Sequence, residues 1–123
     1  MWAANSDLRF GAVALALGVA LGTSNALHAD KVHEIVAKGE SFIPADITVE
    51  PGDTIRWTYV SGDFHTVTSG TKCIADNLYF NEFLHPGSPE VVYVVPPKFE
   101  GVIPYFCIPH CGAGMTGTLV INP

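Results

Sequence analysis

Cys107, His110 and Met115 fall within nine residues of one another in the run Tyr-Phe-Cys-Ile-Pro-His-Cys-Gly-Ala-Gly-Met, residues 105–115. The run supplies a thiolate, an imidazole and a thioether from a segment too rich in glycine to be expected as a helix. A second imidazole, His65, lies far upstream in a strand-like stretch. Two His, one Cys and a weak Met are the donors of a mononuclear blue-copper electron-transfer site. Copper moving between its two oxidation states needs ligands that both accept. Thiolate and thioether favour the reduced ion, while imidazoles suit either. A trigonal set of two His and one Cys with a distant Met lies between the geometries the two states prefer, so little has to move with the electron.

The residues between the donors have expected jobs too. Gly112 and Gly114 let the loop turn back on the metal, since glycine tolerates backbone angles other residues resist. Pro109 has no N–H to direct at the Cys107 sulfur, and hydrogen bonding around a ligand is a lever on its potential. Other metal chemistries fit less well. A structural zinc site from His65, Cys107, His110 and Cys111 uses acceptable donors, but it strands Met115 and lacks a paired C-x₂-C knuckle. Haem attachment needs C-x-x-C-H, and the chain reads C-x-x-H-C. A binuclear purple-copper pattern, C-x₃-C-x₃-H-x₂-M, matches Cys107 and Cys111 and then fails, with Met115 where His is needed and Thr118 where Met is needed.

Elements that could position these donors are short and β-like. Stretches 32–37, 46–49, 54–60, 65–69, 90–95, 102–107 and 116–121 are rich in β-branched and aromatic residues and separated by Gly, Pro and Asp. Alternation is clearest where Ile55, Trp57 and Tyr59 interleave with Thr54, Arg56 and Thr58, giving one buried and one solvated face. Trp57 and Tyr59 are expected in the core. Of Tyr105 and Phe106, one should face the core and the other the outside. A helical period is hinted at only around 75–83, inside the longest irregular connection, 71–89. Seven or so strands in one small domain predict an all-β, two-sheet Greek-key β-sandwich.

The N-terminal residues 1–26 read as a cleaved secretory signal peptide: Arg9 (offset by Asp7), an apolar stretch over 10–21, and small residues before a cut at Ala26 or Ala29. The apolar stretch is about a dozen residues, short of the ~20 that span a bilayer. No stable membrane insertion is expected after cleavage. The remaining domain, 27–123, has 97 residues, enough for one core with little margin. It keeps the chain's net charge of −6, because the signal holds one Asp and one Arg. That acidity argues against nucleic acid and suits steering toward a basic protein. Three cysteines in an exported chain leave one unpaired if two join. With Cys107 given to the metal, Cys73 and Cys111 form the candidate pair, clipping the ligand loop to the 71–89 connection. Closing a loop of about 40 residues would add a few kcal/mol. A free Cys111 thiol, or one that joins metal binding, is the alternative. His28, His33 and His85 are expected to play no part as ligands.

Cys107-x₂-His110-x₄-Met115, followed by Thr-Gly-Thr-Leu-Val-Ile at 116–121, resembles the C-terminal signature of the cupredoxins, the blue type 1 copper proteins. Its loop length is that of the plastocyanin and pseudoazurin branches. Glu-Pro-Gly-Asp-Thr-Ile-Arg-Trp at 50–57, then His65-Thr66-Val67, is similar to the family's earlier strands. The resemblance covers roughly 32–121. It implies one copper ion held by His65, Cys107 and His110 with Met115 as the long axial ligand, and an exported, periplasmic or extracellular, monomeric electron shuttle rather than an enzyme. It also implies redox partner proteins docking near His110. A copper carrier or buffer without redox cycling is the alternative. Two departures stand out. Many cupredoxins have Asn after the first His, where it ties the ligand loops together; here Thr66 stands there, with a hydroxyl as its candidate replacement. Cys111 occupies a position where plastocyanins commonly have no thiol.

Overall fold

The structure, a computed structural model, describes residues 30–123; the expected signal peptide at 1–26 and His28 lie outside the described residues. Among the described residues, ten strands form two sheets. In chain order they are β1 (Val32–Lys38), β2 (Ser41–Ile43), β3 (Asp46–Val49), β4 (Thr54–Tyr59), β5 (His65–Thr71), β6 (Ile74–Ala75), β7 (Asn81–Leu84), β8 (Glu90–Val94), β9 (Gly101–Phe106) and β10 (Thr116–Ile121). The larger sheet runs β3-β10-β9-β5-β6, with β7 also paired to β5; the smaller runs β2-β1-β4-β8. Two neighbouring pairs, β1/β4 and β3/β10, are parallel, and the rest are antiparallel.

Alternation decides which faces meet. Ile55 and Trp57 of β4 point inward from the smaller sheet; Ile103, Tyr105, Leu119 and Ile121 of β9 and β10 point inward from the larger one. Trp57 packs against Tyr105 and Phe80 with ring centroids 5.4 and 5.1 Å apart, and Phe42 extends this aromatic centre against Tyr105. Tyr59 is only partly buried and lies at the edge of that core, toward the metal end. Strand β5 departs from simple alternation: every residue from His65 to Gly70 is buried. Val67 meets the core, and Thr66 meets the segment that follows β9 through the Ile108 amide.

Three expectations need correction. The 75–83 stretch is not helical; β6 and β7 fall in it, and both pair with β5. Strands of two and four residues are too short to show a period. Ser69 organises the turn between them: its hydroxyl donates to Asp76 Oδ1 (2.7 Å) and accepts from the amides of Tyr79 and Phe80. The run after Cys107 does contain a helix, a 3₁₀ turn at Ile108–Ala113. Six residues of 3₁₀ geometry need little helix propensity. Phe106 does turn away from the core, yet it is as buried as Tyr105. It lines a surface cavity of about 310 Å³ together with Cys73 and Cys111.

The link between β5 and β6 is a two-residue turn in which Lys72 and Cys73 both have positive φ, 55° and 62°. Hairpin turns of this kind favour Asn-Gly. Residues with a Cβ pay about 1–2 kcal/mol each for left-handed angles.

Candidate metal centre

His65 opens β5, Cys107 directly follows β9, and His110 lies in the 3₁₀ turn between β9 and β10. Because β5 and β9 are adjacent, with Phe106 opposite Thr68, the two strands deliver an imidazole and a thiol to the same end of the sandwich. The donor atoms of His65, Cys107 and His110 lie within 4.8 Å of one another. Cys107 Sγ is 3.3 Å from His110 Nδ1 and 3.8 Å from His65 Nδ1. Met115, fully buried, follows the helix and belongs to the same apolar cluster as Cys107. Its carbonyl accepts from the Cys107 amide (3.0 Å) and its amide donates to the His110 carbonyl (3.2 Å). These two bonds close the loop into a ring around the donors.

His65 is prepared for coordination. Its Nε2 lies 2.9 Å from the Ser61 carbonyl, which can only accept, so Nε2 carries the proton and Nδ1 offers its lone pair toward the sulfur. Gly62 makes room for the ring: a Cβ there would sit 3.0 Å from His65 Nε2 and 2.7 Å from the Gly39 carbonyl, and φ is +101°. Tyr59 packs a tilted ring on the imidazole, centroids 5.7 Å apart, and donates its hydroxyl to the Gly62 carbonyl.

The Thr66 hydroxyl ties the ligand segments together. It accepts from the Ile108 amide at 2.8 Å, and it lies 2.9 Å from the Thr68 hydroxyl, which in turn donates to Asn81 Oδ1. Since Thr68 gives its single proton to Asn81, Thr66 must give its own to Thr68. The chain Ile108 N–H, Thr66, Thr68, Asn81 therefore runs in one direction, an arrangement in which each bond polarises the next. The Thr66 amide also points at Cys107 Sγ, 3.5 Å away. Burial pushes the Cys107 thiol up, against the hydrogen bonds from Thr66 and His110 that draw it down.

Of the loop glycines, Gly114 takes a left-handed angle (φ 91°) and ends the 3₁₀ turn, whereas Gly112 has no positive φ and open space around it. The expected role of Gly112 in turning the loop is thus not needed. Cys73 and Cys111 are joined by a disulfide with Cα atoms 5.8 Å apart. Cys107 is buried and free of disulfide bonding. The remaining described histidines lie elsewhere. His33 Nε2 contacts Asp53 at 2.8 Å, and His85 accepts from the Gly87 amide in a turn.

The donor chemistry suits copper. One sulfur anion, two imidazole nitrogens and a buried thioether form a soft to borderline set without a carboxylate among the clustered donors. His65, Cys107, His110 and Met115 are arranged as a type 1 copper site.

The family model of copper-binding proteins of the plastocyanin/azurin family matches residues 29–122. Chloroplastic plastocyanin of Tetradesmus obliquus is 32% identical over 119 residues, covering 89% of this chain and 81% of its own length. Among solved structures, oxidised plastocyanin from Dryopteris crassirhizoma superposes with a TM-score of 0.57 at 21% identity, covering 72% of this chain and 99% of that one. Amicyanin from Paracoccus versutus gives 0.56 at 19% identity, covering 78% and 85%. These two likenesses carry the fold, and the cupredoxin sandwich is what they share with it. With the family match spanning nearly all the described residues and a copper-suited donor set at one end of the sandwich, the chain belongs to the plastocyanin/azurin family of copper-binding proteins.

Proposed function

We propose that the protein is an exported carrier of single electrons between larger redox proteins. His65, Cys107 and His110 would hold one copper ion, with the Met115 thioether as the fourth donor. Copper, when bound, accepts and returns one electron. The protein's part is to hold the donors still while that happens. The strands fix His65 and Cys107, Ser61 fixes the His65 tautomer, and Thr66 joins the two ligand segments.

One observation carries the shuttle reading: His65, Cys107 and Met115 are buried, while His110 is only partly so. An electron therefore has one ligand edge near the surface through which to leave. Exposed Ile108, Pro109, Gly112 and Ala113 surround that edge with small or apolar groups. They form a docking patch suited to brief contact, since electron-transfer encounters bury little surface. The disulfide supports export to an oxidising compartment, such as a periplasm. It fits a scheme in which residues 1–26 are removed and 27–123 act as a monomeric domain.

Electron self-exchange between the reduced and oxidised protein, measured by NMR line broadening, tests the shuttle. Fast exchange with copper retained in both states is expected. Slow exchange with ready copper loss to a chelator would make it a copper carrier instead.

A further inference from the structure

We infer that the Cys73–Cys111 disulfide is a thiol-exchange site whose reduction by a dithiol opens the ligand loop and speeds copper release. The inference rests on the copper reading of the site, and four features point to it.

The bond is placed next to a proposed ligand: Cys111 directly follows His110. The loop also depends on it unequally. Its first half is held from outside by the Thr66 hydroxyl on the Ile108 amide. In its second half, the backbone hydrogen bonds of His110, Gly114, Met115 and Thr116 run to Cys107, Cys111, His110 and Gly114, all within the loop. No residue of the 3₁₀ turn is buried. The disulfide anchors the turn itself, at Cys111, to the β5–β6 link of the larger sheet, between the Thr66 tie on one side and buried Met115 on the other.

The bond is also within reach. Cys73 is an exposed residue, and the 310 Å³ surface cavity is lined by both cysteines and by Lys72. That cation lies where an approaching thiolate would be drawn in. Finally, the partner strand is held in an unfavourable turn. Lys72 and Cys73 both have left-handed backbone angles in a position suited to Asn-Gly, and such angles persist where the surroundings impose them. Breaking the bond removes one of the restraints on that turn.

The step balances as ordinary exchange. A thiolate of the dithiol attacks Cys73 Sγ, the Cys73–Cys111 bond breaks, and Cys111 leaves as a thiolate. The dithiol's second sulfur then attacks the mixed disulfide and frees Cys73. Two electrons pass to the protein, the dithiol becomes a disulfide, and its two protons end on Cys73 and Cys111. In the closed form the loop holds His110 for electron transfer. In the open form the same molecule gives up its metal more readily.

Two measurements on the full-length protein decide this. The copper-loaded protein is exposed to dithiothreitol in native buffer, trapped with iodoacetamide and weighed. Two added labels on Cys73 and Cys111, without denaturant, are expected. Labelling only after denaturant is added would overturn the proposal. Copper(I) transfer to bathocuproine disulfonate is then compared between the parent and the Cys73→Ser/Cys111→Ser protein. The serine pair should release copper roughly tenfold faster, the scale of a lost supporting contact at a metal ligand. Equal rates would overturn it. A parent protein that shows no thiolate-to-copper band when oxidised and loaded would instead refute the copper reading beneath it.

Discussion

Thr66 stands beside one proposed ligand and, through its hydroxyl, holds the segment that brings in the others. Replacing it by Val leaves the Ile108 amide without its acceptor and breaks the chain to Thr68 and Asn81. Urea unfolding of the metal-free protein should show a loss of about 1–3 kcal/mol. Thr66→Ser, which keeps the hydroxyl, should recover most of it. The sulfurs divide as clearly: Cys107→Ser should abolish the thiolate-to-copper band, and Cys111→Ser should keep it, since Cys111 is bonded to Cys73. At this scale the sequence was most legible, because donor type and spacing are written directly in residues 105–115. The Thr66 tie was legible only as a candidate, through the family resemblance, without its partner. Its partner amide lies 42 residues away, and only the pairing of strands reveals that the two meet. Gly112 was misread for a related reason, as a glycine's identity does not say whether its backbone angle is unusual.

Among the elements, β5 carries the most constraint, since it pairs with β6, β7 and β9 and begins with His65. The turn before it is equally tight. In Gly62→Ala the new Cβ meets the Gly39 carbonyl and the His65 ring, so the imidazole must shift. Apparent copper affinity, measured by competition with a chelator, should fall by about 10- to 100-fold, as for other changes that disturb a ligand's support. The seven strands with β-branched or aromatic patterning were legible from sequence. The three others, β2, β6 and β7, are two to four residues long and draw their stability from neighbours. The 3₁₀ turn did leave a signal: Pro109 near its start and Gly114 just past its end. High glycine content obscured it.

Across the whole molecule, Asp53 joins segments far apart in sequence, accepting from the amides of Lys31 and Glu50 and contacting His33. Burial alone would raise its pKa, but these hydrogen bonds and the His33 contact outweigh it and hold the carboxyl well below its ordinary 3.8. Stabilisation from a depressed carboxyl is complete above the ordinary value and is lost as pH falls through the folded one. The thermal midpoint of the parent should therefore drop below about pH 4, and Asp53→Asn, already weakened, should drop less. Net charge acts at longer range. At −6, association with a basic redox protein should slow as salt is raised from about 10 to 200 mM, because screening shortens the steering field. A rate independent of salt would remove charge from the account of docking. The most direct test of the central claim is a visible and electron-spin spectrum of the oxidised, copper-loaded protein. An intense thiolate-to-copper band with narrow hyperfine splitting is predicted. A fully loaded, oxidised sample that lacks both would contradict the assignment of His65, Cys107, His110 and Met115 to one copper ion.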